Sequence, residues 1–353
     1  MKHGQRPEVH GLRLLGVLVA LGLLVWTFGG LDFARVSEVL SRVGGPRLGW
    51  VLAPMGGALA VESLGWAWAF WRAGYSVPYR GIWRARVTSE ALALTLPAGM
   101  LFCESTKPFL LLRHCGLSLE VSLAGMASRK YLLLVSQASY ISGFALLGAT
   151  HLEAASRALL GGSGLATLLL SAGALVMVAG VVTGLSLRDG RIAERLRAAL
   201  ARLPVRALRG GLERSRERFS ATDGELRRFF PGSLFSASTP ASLFLVSWTL
   251  EAVETYLILR LLGVDLPIEA VGAMEVALSL LRHITFVLPA GLGVQDLGYV
   301  TFLRALGVHD PLTMGAAFVL IKRAKEITWA LLGFSLLAAD LRASAPAPLP
   351  ATP

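Results

Sequence analysis

Long apolar runs constrain this sequence more than any other feature. An α-helix needs about 20 apolar residues to cross the hydrocarbon core of a bilayer. Runs of that length lie at roughly 11–30, 48–71, 131–150, 159–187 and 241–262, and a last one ends near Leu341. Only 16% of the residues are charged, which is fewer than in a soluble domain. The sequence therefore predicts an all-α, polytopic integral membrane protein.

Two further apolar runs, about 87–102 and 267–288, continue into sequences that break helices. The tetrapeptide Leu-Pro-Ala-Gly occurs at 96–99 and again at 288–291. Proline removes a backbone donor, glycine loosens the chain, and broken backbone is tolerated in a membrane only where protein or water satisfies it. We expect each copy to be the tip of a re-entrant helical hairpin. The predicted hinge residues are Pro97, Gly99, Pro289, Gly291 and Gly293.

The two tetrapeptides lie in longer similar stretches. A carboxylate follows at the same spacing, Glu104 in the first copy and Asp296 in the second, and a basic pair lies further on in each. Three proposed crossings separate the copies, an odd number, so the repeats are predicted to be inverted. Inverted repeats with discontinuous helices are typical of transporters, with the substrate site between them near the midplane. The prediction is one domain, 1–340, containing repeat one at about 48–150 and repeat two at about 241–340.

Basic residues give the chain an orientation. The segment 188–231 holds twelve arginines against six acidic residues, and the positive-inside rule places such segments in the cytoplasm. Assigning the other apolar runs to alternate crossings or re-entrant segments by the same rule predicts that both termini are cytoplasmic. The protein is then a multi-pass protein of the cytoplasmic (inner) membrane. The segment is read either as a solvated loop or as an amphipathic surface resting on anionic lipid. The Pro/Ala-rich end, 341–353, is predicted to be disordered.

Charged residues inside the apolar runs are the candidate site. Each costs about 2.5–3.5 kcal/mol at membrane depth by insertion scales, so we expect them to be paired or to line a wet cavity. Glu104 and Asp296 are expected to face one shared cavity. Basic groups there suit a phosphate, and carboxylates suit an amine or a coupling proton. The predicted substrate-binding residues are Glu90, Glu104, Arg129, Lys130, Glu275, Arg282, Asp296, Lys322 and Arg323.

Other intramembrane charges have two interpretations. Arg86 and Arg260 are expected to extend towards an interface. Glu62 and the pair Glu251 and Glu254 serve either as partners of buried polar groups or as part of a substrate site.

Motifs of catalysis are missing from the sequence. Cys103 and Cys115 form no metal or disulfide pattern, and the six histidines form no His-x-x-x-His pair. The sequence contains no G-x-S-x-G elbow and no Walker A motif. The prediction is therefore a protein that is not an enzyme, has no cofactor or metal, hydrolyses no ATP and binds no nucleic acid.

Three stretches of the second half carry a family resemblance: WTLEAVETYLILRLLGV, MEVALSLLRHITFVLPAGLGVQD and GAAFVLIKRAKEI. They resemble the flippase-like domain family, the transmembrane region of lysylphosphatidylglycerol synthases and its stand-alone relatives, including those found with hopanoid biosynthesis. The family pattern P-x-G-x-G-x-x-E is matched with Asp296 in place of glutamate. In the first half the family's G-E-x-x-R is matched more loosely, with Cys103 and Lys107 at its ends. The residues that the second-half resemblance carries over are Glu275, Arg282, Pro289, Gly291, Gly293, Asp296, Lys322 and Arg323.

The resemblance implies translocation of a polar lipid between leaflets, without the synthase domain that makes such lipids. The expected partners are membrane lipids, a phospholipid or another amphiphile with a charged headgroup. Two alternatives stay open: a non-transporting membrane subunit that docks or supports a lipid-synthesising enzyme, and a membrane-embedded transferase acting on an undecaprenyl or phospholipid headgroup. The intramembrane carboxylates favour transport over a scaffold, because a scaffold has little reason to bear their cost.

Overall fold

The computed structural model describes Gly22 and residues 29–96, 99–202, 211–213, 215–230, 237–284 and 292–343. This part of the chain is helical, with no β-strand. Most of the first predicted span, the hinge residues Pro97, Pro289 and Gly291, and nearly all of the predicted tail lie outside the described residues.

The helices of the first half are α1 (Phe33–Val43), α2 (Gly45–Gly49), α3 (Leu52–Arg72), α4 (Tyr79–Thr95), α5 (Gly99–Cys115), α6 (Leu119–Leu147), α7 (Ala149–Leu160) and α8 (Leu165–Asp189). Those that follow are α9 (Ile192–Ala201), α10 (Arg216–Phe229), α11 (Ser238–Leu261), α12 (Ile268–Ile284), α13 (Val294–Ala305) and α14 (Pro311–Ala343).

Local sequence explains several of these boundaries. Asp32 caps α1 by accepting a hydrogen bond from the amide of Ala34 at 3.0 Å, and Ser118 caps α6 through the amide of Val121 at 3.3 Å. Side-chain oxygens at this position satisfy amides that have no partner within the helix. Gly161 ends α7 in the left-handed conformation, with φ of 71°, which glycine adopts without a steric penalty.

Several helices are long and apolar enough to cross a membrane. Among the described residues, three such spans are 45–72 (α2 with α3), α8 and α11, and a fourth candidate is α6 with α7, which bend by 79° at their junction. The first three helices confirm the spans predicted at 48–71, 159–187 and 241–262, and the span predicted at 131–150 falls within the bent pair. Helix α14 has 33 residues, a length of about 50 Å, and carries charges near its middle. The chain is therefore a helical membrane protein with several spans.

Each Leu-Pro-Ala-Gly stretch lies between two helices. Helices α4 and α5 pack side by side, so closely at Gly99 that an added Cβ would lie 2.5 Å from the carbonyl oxygen of Leu92 and 2.6 Å from that of Ala93. Helices α12 and α13 also contact each other. Gly293, before α13, has φ of 79°, which side chains other than glycine rarely adopt. We call α4 with α5 hairpin one, and α12 with α13 hairpin two.

The long helix that follows each hairpin packs against the hairpin of the other half. Helix α14 contacts α4 at Gly333, where an added Cβ would lie 2.7 Å from the carbonyl oxygen of Val87. Helix α6 contacts α12, where Phe144 lies against the backbone of Gly272. The two halves are therefore interlocked through close backbone contacts.

The basic segment 188–231 is partly folded against the bundle. The carboxylate of Asp223 accepts hydrogen bonds from the amides of Ala193 and Glu194 at 2.8 and 3.0 Å, which joins α10 to the start of α9. Phe229 is buried with its ring edge-on to Phe70 at 5.2 Å. The interpretation as a solvated loop does not hold for these buried residues. Among the described residues of this segment, the exposed arginines are Arg188, Arg191, Arg195, Arg202, Arg216, Arg218, Arg227 and Arg228.

The contact between α14 and α4 predicts a stability difference between two glycines. Gly333→Ala should lower the free energy of unfolding by about 1–3 kcal/mol, because overpacking forces the backbones apart. Gly143→Ala in α6 is the control, since nothing lies within 4 Å of its added Cβ, and it should be neutral or stabilising. Thermal unfolding of both variants in detergent measures the difference. Equal unfolding temperatures would contradict the close contact.

Candidate functional site

Glu62 is the centre of an ion cluster in the first half. The carboxylate, placed by α3, is only 5% exposed. Arg86 from α4 donates through Nε to Oε2 at 2.9 Å, and Arg129 from α6 donates through Nε to Oε1 at 2.9 Å. The guanidinium of Arg129 also lies 5.5 Å from the centre of the Trp66 ring. One carboxylate therefore connects three helices, and its burial is compensated by two cations.

Glu104 forms a second set of ion pairs in the same half. Its Oε1 accepts from Lys107 at 2.5 Å and from Arg129 at 3.4 Å, and its Oε2 lies 3.2 Å from Nζ of Lys130. Lys107 is 1% exposed, so its charge depends on this carboxylate. Glu104 thereby connects hairpin one to α6.

Glu275 holds the corresponding cluster in the second half. It is 2% exposed, and its Oε1 accepts from the hydroxyl of Tyr299 at 2.8 Å and from Nζ of Lys322 at 3.3 Å. Lys322 also donates to the hydroxyl of Tyr299 at 2.6 Å. The hydroxyl of Thr255 donates to the same carboxylate oxygen. This cluster joins α11, α12, α13 and α14.

Asp296 has both of its carboxylate oxygens engaged. Oδ2 accepts from the amide of Gly293 at 2.9 Å, and Oδ1 accepts from Arg323 at 2.7 Å. An anion in the first turn of a helix is stabilised by the helix dipole. Arg323 also contacts Glu326 at 2.6 Å. Asp296 therefore starts α13 and connects hairpin two to α14.

The contacts follow the register of the sequence repeat. Glu62 and Glu254 stand the same number of residues before their Leu-Pro-Ala-Gly copies. The second residue of each basic pair contacts the carboxylate of its own hairpin, as Lys130 does with Glu104 and Arg323 with Asp296. The first residues differ in their partners, since Arg129 contacts Glu62 whereas Lys322 contacts Glu275.

A cavity of about 280 Å³ lies between the two halves. Of the predicted site residues, Glu90, Gly99, Arg282 and Lys322 line it. The further charged residues of its lining are Glu62, Arg86, Glu251, Glu254, Lys325 and Glu326. Apolar side chains complete the wall, with Met55, Leu59, Met100 and Trp248 among them.

The expected meeting of Glu104 and Asp296 in a shared cavity does not occur. Neither residue lines this cavity, because the carboxylates are held by Lys130 and Arg323 beside their hairpins. Arg129, Lys130, Glu275 and Arg323 are likewise outside the lining. These predicted site residues position the helices that form the cavity.

Cations and carboxylates of the cavity wall form ion pairs. Arg282 lies 3.5 Å from Glu251 and 4.0 Å from Glu275. Lys325 lies 2.6 Å from Glu254. Glu251 has the most open carboxylate of these pairs, with 41% of its side chain exposed. The wall therefore offers both signs of charge, each already compensated, beside apolar surface.

Comparison with protein families identifies the family of this chain. The family model described as "Lysylphosphatidylglycerol synthase TM region" matches residues 13–333. The chain belongs to this family. Among curated proteins no match was found.

For this member of the lysylphosphatidylglycerol synthase TM family, sequence reasoning missed part of the site. Arg86 was expected to extend towards an interface, but its side chain is 12% exposed and pairs with Glu62 and Glu90. The sequence left Glu62 with two interpretations. Its spacing from the first Leu-Pro-Ala-Gly copy equals that of Glu254 from the second, which indicates that the two glutamates occupy equivalent positions in the two repeats. Arg260 does lie exposed, 2.6 Å from Asp265.

The Glu62 cluster predicts a large difference between buried and exposed ion pairs. Glu62→Gln should destabilise the protein by about 3–5 kcal/mol, because it leaves buried arginine charge uncompensated. Glu38→Gln, which breaks the exposed pair with Arg42, should cost at most about 1 kcal/mol. Denaturation in detergent measures both. The double variant Glu62→Gln with Arg129→Gln should recover part of the loss, and additive losses would contradict the pairing.

Proposed function

We propose that this membrane protein moves a polar lipid between the leaflets of the cytoplasmic membrane without hydrolysing ATP. The observation that carries the proposal is the cavity between the two halves, lined by both charged and apolar side chains. Charged groups at membrane depth are costly and mark substrate pathways. A lipid has the same combination of a charged headgroup and hydrocarbon chains.

The charges of the wall favour a headgroup that carries an amine as well as a phosphate. Arg86 and Arg282 suit the phosphate, and Glu251 suits the amine. The cavity-lining carboxylates outnumber the cations by one. A purely anionic headgroup would add negative charge to this wall. A headgroup with both charges can replace an existing ion pair, because its phosphate pairs with the arginine and its amine with the carboxylate.

An inverted arrangement of the two halves is part of the proposal, and α14 supports it. At its C-terminal end the carbonyl of Asp340 accepts a hydrogen bond from Arg113, the end of hairpin one. At its N-terminal end Pro311 follows closely after Arg304, near the end of hairpin two. The helix between Pro311 and Asp340 measures about 44 Å at 1.5 Å per residue, close to the full thickness of a bilayer.

The short hairpin helices support a re-entrant arrangement. Helices α4, α5 and α12 have 17 residues each and α13 has 12, so they measure about 26 Å and 18 Å. The hydrocarbon core is about 30 Å thick. We propose that hairpin one enters the membrane from the cytoplasm and hairpin two from the outside.

A non-transporting subunit that docks or supports a lipid-synthesising enzyme is the alternative function. The cavity favours transport, because a scaffold has no use for a polar chamber between its halves.

The inverted arrangement predicts the sidedness of three labelled positions. In a background lacking Cys103 and Cys115, Arg113→Cys and Arg304→Cys should react with a membrane-impermeant thiol reagent from opposite sides. Ser220→Cys, on the exposed face of α10, is the control and should react from the same side as Arg113→Cys. Labelling of Arg113→Cys and Arg304→Cys from one side would exclude inverted repeats.

Reconstitution into liposomes with a panel of labelled lipids tests transport itself. Leaflet exchange should be fastest for lipids whose headgroup carries both charges. Glu251→Gln should slow it about tenfold or more, since a hydrogen bond to a charged group contributes about 1.5–3 kcal/mol. Glu217→Gln, exposed on α10, is the matched control and should transport normally. No exchange of any lipid by the folded parent protein would overturn the proposed function.

A further inference from the structure

The apolar outer row of helix α8 ends in a charged residue. This helix is long and apolar enough to cross the membrane. Its exposed apolar residues include Leu175, Val178, Val182 and Leu185, at spacings of three or four residues that keep them on one face. The next position of this row is Asp189, the last residue of α8. A charged side chain there marks the level at which the row leaves the hydrocarbon core, because charges within the core are costly.

An ion pair holds α9 at this level. Nη2 of Arg195 in α9 lies 2.6 Å from Oδ2 of Asp189. On its inner side, α9 packs against α10, Ala193 is buried, and Ile192 contacts the core of the first half. One face of α9 is therefore held against the protein, and the opposite face is exposed beside the end of the apolar row of α8.

The exposed face of α9 combines arginines with apolar side chains. Arg191, Arg195 and Arg202 are exposed, and their spacings of four and seven residues place them on one side of the helix. Leu196 and Ala199 are exposed beside them. This composition is typical of a helix that lies in the membrane interface, where apolar residues reach the acyl chains and arginines contact the headgroups.

Positive charge on this surface exceeds negative charge. Arg188, in the last turn of α8, is a fourth exposed arginine, and the exposed carboxylate between residues 188 and 202 is that of Asp189. Guanidinium groups bind phosphate through paired, charge-assisted hydrogen bonds. A zwitterionic headgroup would also bring an ammonium group to this positive surface, whereas phosphatidylglycerol brings only the negative charge of its phosphate. The surface therefore suits an anionic phospholipid.

We propose that α9 is an interfacial helix whose arginines bind anionic phospholipid headgroups in the leaflet where α8 ends. An acidic protein is the other partner that suits such a surface. The structure favours lipid, because the ion pair between Arg195 and Asp189 attaches the arginine face to the row of α8 that faces the acyl chains. This binding does not depend on lipid movement through the chamber, so a failure of the transport assay would leave it unchanged.

Fluorescence quenching by brominated lipids tests this site. In a background lacking Cys103 and Cys115, the full-length protein carries a fluorophore at Leu196→Cys in nanodiscs that mix phosphatidylglycerol with phosphatidylcholine. Brominating one lipid at a time gives the binding constant of phosphatidylglycerol relative to phosphatidylcholine at this position. The proposal predicts a preference for phosphatidylglycerol of about tenfold or more, since each arginine near an anionic surface contributes about fivefold.

A probe on the apolar row of α8 is the positional control. Leu175→Cys replaces a side chain that is 71% exposed and lies far from the arginines along α8, so its probe should be quenched without preference between the two lipids. Ala199→Cys is a second probe position on α9 and keeps the test valid if Leu196→Cys does not fold. Raising the salt concentration should weaken the preference at the α9 probe, because salt screens exposed charges.

Two matched double variants separate this surface from the net charge of the segment. Arg195→Gln with Arg202→Gln should lower the preference about tenfold. Arg216→Gln with Arg218→Gln removes the same charge from exposed positions of α10 and should leave the preference unchanged.

Three results would overturn the proposal. The first is equal quenching by both lipids at the α9 probes of the parent protein, and the second is an equal loss of preference in the two double variants. The third is an α9 probe that neither lipid quenches while the probe at Leu175→Cys is quenched, which would mean that this face is turned away from the membrane and is open to a protein partner.

Discussion

Buried carboxylates shared among several helices are the interactions on which the rest of this structure depends. Glu62 joins α3, α4 and α6, and Glu275 joins α11, α12, α13 and α14. A charge at this depth is stable only when it is compensated, and removing one partner leaves the other buried and unpaired. The need to compensate these charges therefore fixes the helices relative to one another, which apolar packing alone would not do.

These clusters also explain why the cavity exists. Each hairpin is held to the long helix of its own half by an ion pair of its carboxylate, Glu104 or Asp296. These ion pairs prevent the helices from packing closely enough to fill the space between the two halves. The long helices α6 and α14 then pack against the opposite hairpin. The chamber between the two halves keeps charged side chains on its wall. Residues predicted to bind substrate thus divide into those that line the chamber and those that position its walls.

Much of the helical architecture could be predicted from the sequence because membrane spans need long apolar runs. The interruption around the first Leu-Pro-Ala-Gly copy followed from its proline and glycine, since α4 ends at Thr95 and α5 begins at Gly99. The composition of the cavity lining could not be predicted from the sequence. Whether Glu104 or Asp296 faces the cavity depends on which cation it pairs with, and that is set by the tertiary structure. Arg86 was misread for the same reason: its partner Glu62 lies on another helix, and only the fold brings them together.

The central claim is that a lipid headgroup occupies the chamber between the two halves. An experimental structure determined in nanodiscs of a zwitterionic phospholipid tests this most directly. The account predicts headgroup density within hydrogen-bonding distance of Arg86 or Arg282, with the amine near Glu251. A chamber closed by direct packing of α3, α4, α11 and α12, with the headgroups confined to the bilayer surface, would contradict it.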